Sequence, residues 1–305
     1  MTSSGDVIAN DWWIPTSDGH ELHIRQKVAD PGADSRRGVL FLPGLFSDGG
    51  FFLDNSGRGP ATTFLEDGFA IYSASFRGHG RSRHADGINY DWNFDTYVHH
   101  DIPDLIRAVS DVHRGPLFLV AHSMAGYAAL AALGMEPKLQ RRILGVVALS
   151  SAVNDYSDGN LAKRVQVTSA ALLSRLLGRF PAKALRLGPS DEPPGVMRQF
   201  ADWAPGGAFR SADQRTDYWR ALRQVSVPVL LGVGAADTFH ASPARAAKLA
   251  DHLGGKPNLM VFGRQMGLDF DPGHINVVRG DGARNQVLPT VIEWMRAVMG
   301  RASDE

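Results

Sequence analysis

The chain contains no cysteine, no excess charge of either sign and no long hydrophobic run. The absence of cysteine among 305 residues excludes disulfides, thiolate metal sites, iron–sulfur clusters and a cysteine nucleophile. The 32 basic side chains equal the 32 acidic ones, so the charge does not favour nucleic acid, whose phosphates attract excess Lys and Arg. Neutral charge also leads us to expect an uncharged or weakly charged substrate.

Targeting signals are missing as well. No run of 18 apolar residues occurs, so no membrane-spanning helix and no stable membrane insertion are expected. Residues 1–10 have neither the basic start nor the apolar centre of a signal peptide. We therefore expect a cytoplasmic protein. Hydrophobic residues make up 44% and charged residues 21% of the chain, which is typical of a globular fold.

Short apolar runs alternate with helical stretches along most of the chain. The runs are apolar on both faces, as in the strands of a parallel sheet that helices cover on both sides. A hairpin of 12–15 and 21–24 with a turn at 17–19 precedes them. The pattern predicts an α/β fold with a doubly wound, mostly parallel sheet: strands at 39–42, 69–73, 117–121, 144–149, 227–233 and 259–262, and helices at about 95–112, 124–134, 243–253 and 284–299.

One connection is far longer than the others. Residues 153–224 carry leucines at a roughly helical period, interrupted by prolines, and predict a helical cap inserted into a core of residues 1–152 and 225–305. Lys163, Arg164, Arg175 and Arg179 lie among these leucines, which is compatible with a lipid-contacting amphipathic surface. We favour a cap helix that packs on its own domain, because its leucines must be buried.

The loop after residues 117–120 has the features of a catalytic turn. Ser123 lies between small residues, Ala121, Ala125 and Gly126, where a sharp strand-to-helix turn leaves little room for side chains. The helix that follows presents the backbone amide of Met124, and its dipole, to a developing negative oxygen. The pattern favours Ser123 as a nucleophile over a simple helix cap.

A serine nucleophile needs a base and a group that orients the base. Asp237 and His274 follow later strands in the order Ser, Asp, His, and we predict them as the acid and the base. Asp155 remains an alternative acid, and His240 and His252 remain alternative bases. Adjacent helical residues point about 100° apart, so His99, His100 and Asp101 do not suggest a metal site.

These motifs resemble those of the α/β-hydrolase superfamily, over essentially the whole chain. The segment 121–126, AHSMAG, resembles the nucleophile elbow Gly-x-Ser-x-Gly; 41–46, FLPGLF, resembles the His-Gly-x oxyanion loop; and 77–82, RGHGRS, resembles the Arg-Gly-x-Gly-x-Ser turn. Residues 44–56 also faintly resemble acid-lipase-like members. Two departures are alanine at both outer elbow positions and Pro43 where histidine is usual.

The resemblance implies a serine esterase or lipase-like enzyme that needs no cofactor or metal. It implies that the backbone amide of Leu45, with that of Met124, stabilises the oxyanion. Gly44, Phe46 and His122 are then expected beside the substrate, and Phe51, Phe52 and Leu53 with Phe46 are expected to give the pocket apolar walls. A small-molecule carboxylic ester is the expected substrate. Alternatives are a thioesterase or amidase, a carbon–carbon bond hydrolase, and a non-catalytic binding protein on the same scaffold.

Overall fold

The structure is a computed structural model that describes residues 8–16, 18–28 and 37–304. Ser17 of the expected turn and residues 1–7 of the segment considered as a signal peptide lie outside the described residues.

One sheet of nine strands forms the centre of the molecule. The strand order is β1-β2-β4-β3-β6-β7-β8-β9, with β5 beside β2. All pairs from β4 to β9 are parallel, and the hairpin β1–β2 joins them in antiparallel fashion. The predicted mostly parallel sheet is confirmed. The strands are β1 Ile8–Pro15, β2 His20–Val28, β3 Gly38–Leu42, β4 Ala70–Ala74, β5 Arg83–His84, β6 Leu117–His122, β7 Gly145–Leu149, β8 Val229–Gly234 and β9 Asn258–Phe262.

Helices cover both faces of the sheet. A π-helical turn, Tyr97–Asp101, joins α2 to α3, and another, Ala283–Val287, precedes α9. Single 3-10 segments lie at Gly49–Phe51, Pro137–Arg142 and Arg264–Met266. The α-helices are α1 Ala61–Glu66, α2 Phe94–Thr96, α3 Ile102–Val112, α4 Met124–Met135, α5 Leu161–Leu177, α6 Pro194–Trp203, α7 Tyr218–Leu222, α8 Pro243–Ala250 and α9 Leu288–Asp304.

The strands place their side chains alternately in two apolar layers. Leu40 of β3 packs in the layer with α3 and α4, whereas its neighbour Phe41 packs in the layer with α1 and α9. Strands β3, β4, β6, β7 and β8 are buried along their full length, as the continuous apolar runs predicted. Helix α4 is buried from Met124 to Gly134, which explains why its sequence is apolar on all sides.

The expectation that the cap helix buries its leucines is wrong. The large apolar side chains of α5 are 37–73% exposed: Leu161, Val165, Leu172, Leu173, Leu176 and Leu177. The helix buries Lys163, Val167 and Ser174 instead, which share one face at helical spacing. Ser174 is fully buried, and this narrow face of small or flexible side chains allows α5 to pack closely on α6.

Segment 153–224, which the sequence predicts to be an inserted cap, is not uniform in its packing. Phe200 and Trp203 of α6 and Tyr218 of α7 belong to the same apolar cluster as β3 and α4. By contrast, Val167 of α5 packs in a small separate cluster with Tyr156. The division into a core and a cap therefore stays a prediction.

Candidate active site

Ser123 occupies a strained backbone position between β6 and α4. Its φ of 54° and ψ of −123° lie in a region that costs a non-glycine residue about 1–3 kcal/mol. The turn is held by hydrogen bonds: Ser123 N donates to the Leu149 carbonyl at 2.9 Å. The Ser123 carbonyl accepts from Gly126 N at 3.0 Å and from the Ser151 hydroxyl at 2.8 Å.

Close packing explains the small residues around this turn. A Cβ at position 126 would lie 1.9 Å from Ser151 Oγ, so glycine is required there. A Cβ at Gly44 would lie 3.0 Å from Ser123 Cβ, so Gly44 lies directly against the serine. Ala121 and Ala125 are fully buried, and their methyl groups fit where glycines are usual.

The structure brings the three predicted catalytic side chains together. His274 Nε2 lies 3.0 Å from Ser123 Oγ, and His274 Nδ1 lies 2.7 Å from Asp237 Oδ2. An ionised carboxylate can only accept hydrogen bonds, so Nδ1 carries the hydrogen and Nε2 is left as the acceptor for the serine hydroxyl. This tautomer is the one that base catalysis requires.

Asp237 is held rigidly as an ionised group. It is 2% exposed, and its Oδ1 accepts from the backbone amides of His240 and Ala241, both at 3.1 Å. Burial raises the pKa of this carboxyl, but the hydrogen bonds from His274 and the two amides outweigh burial, so the pKa lies below its usual value.

Asp155, the alternative acid, is engaged elsewhere. It forms an ion pair with Lys248 at 2.5 Å and accepts from Ser157 N at 3.0 Å and Gly207 N at 3.2 Å. Burial raises the pKa of this carboxyl, but those partners together lower it to about 2. Within the described part of the chain, Asp155 makes no hydrogen bond to a histidine.

The two alternative bases do not contact the serine. His252 Nδ1 donates to the Lys248 carbonyl at 2.8 Å, and the ring packs on Trp219. The ring of His240 lies 4.6 Å from that of His274, and its Nδ1 faces Lys163 Nζ at 3.1 Å.

His122 forms a hydrogen bond with the backbone of His274. Its Nε2 lies 2.9 Å from the His274 carbonyl, which only accepts, so Nε2 carries the proton. The ring stacks on Phe51 at 4.8 Å. Full burial and the neighbouring His274 lower the pKa of His122 to about 3, so this side chain is neutral at physiological pH.

Two backbone amides of residues that line the cavity have no hydrogen-bond partner among the described residues. Leu45 and Met124 both line the cavity that contains Ser123. Among the described residues, no acceptor is hydrogen-bonded to the backbone N–H of either. Unpaired amides at a helix start and its neighbouring loop are suited to binding an oxyanion.

The loop that carries Leu45 is fixed by the segment between α5 and α6. Phe46 has a φ of 62°, and its amide donates to Glu192 Oε1 at 3.2 Å. Glu192 is fully buried, accepts from Tyr97 Oη at 3.0 Å, and lies 3.2 Å from His79 Nε2. Burial lowers the pKa of His79, but Glu192 outweighs it and the pKa is raised. Glu192 could not be predicted from the sequence, because an isolated acidic residue carries no motif.

The cavity beside Ser123 has a volume of about 420 Å³. Phe46 and His122 line it as expected, whereas Gly44 contributes contact with Ser123 and is not part of the wall. The expectation that Phe51, Phe52 and Leu53 form its walls is wrong. They are buried in the layer with α1 and α9, on the far side of β3. The other apolar walls come from Tyr127, Tyr156, Val167, Ala170, Phe180, Leu187, Met197, Phe200 and Ile275.

Lys163 also lines this cavity. From the sequence it was expected only as one of the charges of an amphipathic helix. Among the described residues, no group of three His, Asp or Glu side chains could hold a metal ion. In the same part of the chain, no helix is both long and apolar enough to cross a bilayer.

A model of the alpha/beta hydrolase family matches residues 39–273. The chain belongs to this family. No curated protein sequence matches the chain.

Solved structures share the fold at low identity. An esterase from Thermogutta terrifontis with malate bound is 18% identical with a TM-score of 0.61, over 95% of this chain and 99% of that one. A monoacylglycerol lipase from Paleococcus ferrophilus is 17% identical with a TM-score of 0.59, over 96% and 99%. DcsB in complex with its substrate analogue is 15% identical with a TM-score of 0.62, over 96% and 99%.

Proposed function

We propose that the protein is a serine hydrolase that cleaves carboxylic esters through an acyl-serine intermediate. The observation that carries this proposal is the continuous hydrogen-bonded chain from Asp237 through His274 to Ser123, with the serine in a strained turn. The names of the similar structures, an esterase and a monoacylglycerol lipase, support ester chemistry within the family.

In the acylation step, His274 Nε2 removes the proton of Ser123 Oγ as the oxygen attacks the ester carbonyl. Asp237 stabilises the imidazolium that forms and keeps its proton on Nδ1. The negative carbonyl oxygen is received by the amides of Leu45 and Met124. Each such donor contributes about 2.7–4 kcal/mol to lowering the barrier.

The tetrahedral intermediate collapses when His274 returns its proton to the leaving alkoxide. The acyl-serine then reacts with water, which His274 activates in the same way, and the carboxylic acid leaves with Ser123 restored. The neutral His122 contacts the His274 carbonyl and adds no positive charge beside the base.

The proposal is tested by the steady-state hydrolysis of 4-nitrophenyl esters with acyl chains of two to eight carbons. We expect turnover by the wild type and a loss in kcat of about 10⁴-fold or more in Ser123→Ala, since the nucleophile is removed. Ser56→Ala is the control, because Ser56 is an exposed serine in a loop away from the cavity. Equal turnover by wild type and Ser123→Ala contradicts the proposal.

A further inference from the structure

Lys163 is a cationic side chain turned into the cavity. It is the third residue of α5, and the side chain of Asn160 caps the helix by accepting from Lys163 N at 3.0 Å. Its side chain is 6% exposed, although the neighbouring Leu161 and Val165 are 66% and 56% exposed. The orientation of α5 thus places a lysine where an apolar residue would be expected.

The charge of Lys163 is not balanced by a carboxylate. Its Nζ donates to Gln166 Oε1 at 2.8 Å and to His240 Nδ1 at 3.1 Å, and it lies 4.4 Å from the centre of the Phe239 ring. All three partners are uncharged or aromatic. Among the described residues, no Asp or Glu lines the cavity or forms an ion pair with Lys163. An ammonium has three donors, so one N–H remains for a ligand.

His240 does not supply the missing negative charge. Its Nδ1 accepts from Lys163, so its proton is on Nε2. Partial burial and the charge of Lys163 lower the pKa of His240 to about 4, and the ring is neutral at pH 7. The centres of the His240 and His274 rings are 4.6 Å apart, so His240 lies between Lys163 and the proposed catalytic base.

The rest of the cavity lining combines apolar side chains with neutral polar ones such as Asn154 and Gln166. Phe46, Phe180, Met197 and Phe200 line it together with Ser123, and no second Lys or Arg does so among the described residues. A buried ammonium without a partner of opposite charge is costly, and a ligand that supplies one offsets this cost. The cavity that contains Ser123 and His274 therefore also contains one lysine ammonium.

We propose that the Lys163 ammonium binds a free carboxylate of the substrate, so that the enzyme prefers esters that carry a negative charge a few bonds from the scissile carbonyl. This inference rests on the proposed ester hydrolysis and names its substrate class. Among the uncharged or weakly charged substrates expected from the net charge of the chain, the proposal selects those with one negative charge, because the buried charge of Lys163 lines the cavity.

The charged groups around Lys163 define a pH dependence. Burial and the positive charge of Arg245 lower the pKa of Lys163 to about 8, and the negative charge of Asp237 opposes them. His240, whose Nδ1 accepts from Lys163, is already neutral. The ammonium is present at pH 7 and is lost above pH 8, so the preference for a carboxylate falls over that range.

Matched esters test the proposal. Mono-4-nitrophenyl glutarate and 4-nitrophenyl pentanoate have the same acyl length and differ by a terminal carboxylate, whereas 4-acetoxybutanoate and butyl acetate place that difference on the alcohol. We expect kcat/KM of wild type at pH 7 to be about ten- to hundredfold higher for the charged member of at least one pair, as for a hydrogen bond to a charged group. The effect should appear mainly in KM.

Variants assign the preference to the side chain. Lys163→Met should remove the preference by lowering kcat/KM for the charged ester far more than for the neutral ester, and Lys163→Arg should retain the preference at pH 9.5, where wild type loses it. Lys183→Met, which removes an exposed cap lysine outside the cavity, should behave as wild type. A parallel fall for charged and neutral esters in Lys163→Met would indicate a structural tie between α5 and His240 and would overturn the proposal.

Binding separates this inference from the proposed function. The dissociation constants of the glutarate and pentanoate esters are measured on Ser123→Ala, where no turnover is needed. Tighter binding of the charged ester that Lys163→Met abolishes supports the inference even if hydrolysis is absent. Equal binding of both esters, together with no preference in the alcohol pair, overturns it. Ser123-dependent turnover of the neutral ester would still leave ester hydrolysis in place.

Discussion

The sheet core and helix α5 differ in which side chains they bury. Leu119, in the centre of β6, is fully buried, whereas Leu176 of α5 is 73% exposed. The core buries Asp237 with its hydrogen-bonding capacity met by His274 and two amides, whereas α5 buries Lys163 without an ion-pair partner among the described residues. In the core, the burial of apolar side chains stabilises the fold and fixes the proposed catalytic groups. Helix α5 instead leaves its large apolar side chains exposed and places the charged Lys163 at the cavity.

The largest expected effect compares Asp237, which contacts His274, with Asp155, the alternative acid. Asp237→Asn should lower kcat about 10⁴-fold, because it favours the wrong tautomer of His274. Asp155→Asn should change kcat less than tenfold, since Asp155 is paired with Lys248 and not with the histidine. Both are measured by single-turnover ester hydrolysis. Collapse in Asp155→Asn with near-normal turnover in Asp237→Asn would reverse the assignment.

The next largest expected effect is on the free energy of unfolding, and it compares a leucine of β6 with a leucine of α5. Leu119→Ala should lower the free energy of unfolding by about 2–5 kcal/mol, as for a fully buried leucine whose loss leaves a cavity. Leu176→Ala should change it by less than about 0.5 kcal/mol, because that side chain is already solvated. Urea denaturation followed by circular dichroism measures both. A loss of more than about 2 kcal/mol in Leu176→Ala would show that another surface covers α5 in solution.

A smaller effect of opposite sign is expected at Lys163. Lys163→Met should raise the free energy of unfolding at pH 7 by about 1–3 kcal/mol, because a buried unpaired ammonium is replaced by an apolar side chain of similar length. Lys183→Met is the matched control and should have no such effect. The folded pKa of Lys163 is lowered from 10.5 to about 8, so the unfolded chain binds more protons between these values. Wild type should therefore gain stability relative to Lys163→Met as pH rises from 8 to 10.5. A constant difference would contradict the pKa shift.

The sheet and the candidate triad could be predicted because both leave local signals. Ser123, Asp237 and His274 each follow a strand, and parallel strands bring their carboxyl ends to one edge. The burial of α5 could not be predicted in the same way. Val165 and Leu172 follow a helical period, but so do Val167 and Ser174, and only tertiary packing decides which face turns inward.

The residues that line the cavity could also not all be predicted from the sequence. Phe46 and Phe51 are five residues apart in one loop, and both were expected beside the substrate. Phe46 has a positive φ, and its ring stacks on Phe180 in the cavity wall. The ring of Phe51 packs instead against Phe52 and His122. Composition alone does not distinguish these positions, because both are aromatic and both end largely buried.

The central claim, that Ser123 is an activated nucleophile, is tested most directly by covalent labelling. The protein is treated with a phosphonofluoridate, which loses fluoride as a serine oxygen bonds to phosphorus, and intact mass is measured. Ser150→Ala is the matched control, since Ser150 is a buried serine in the same cavity. We predict a single adduct on wild type and on Ser150→Ala, and none on Ser123→Ala. An unlabelled wild type, or an adduct that persists in Ser123→Ala, would contradict the account.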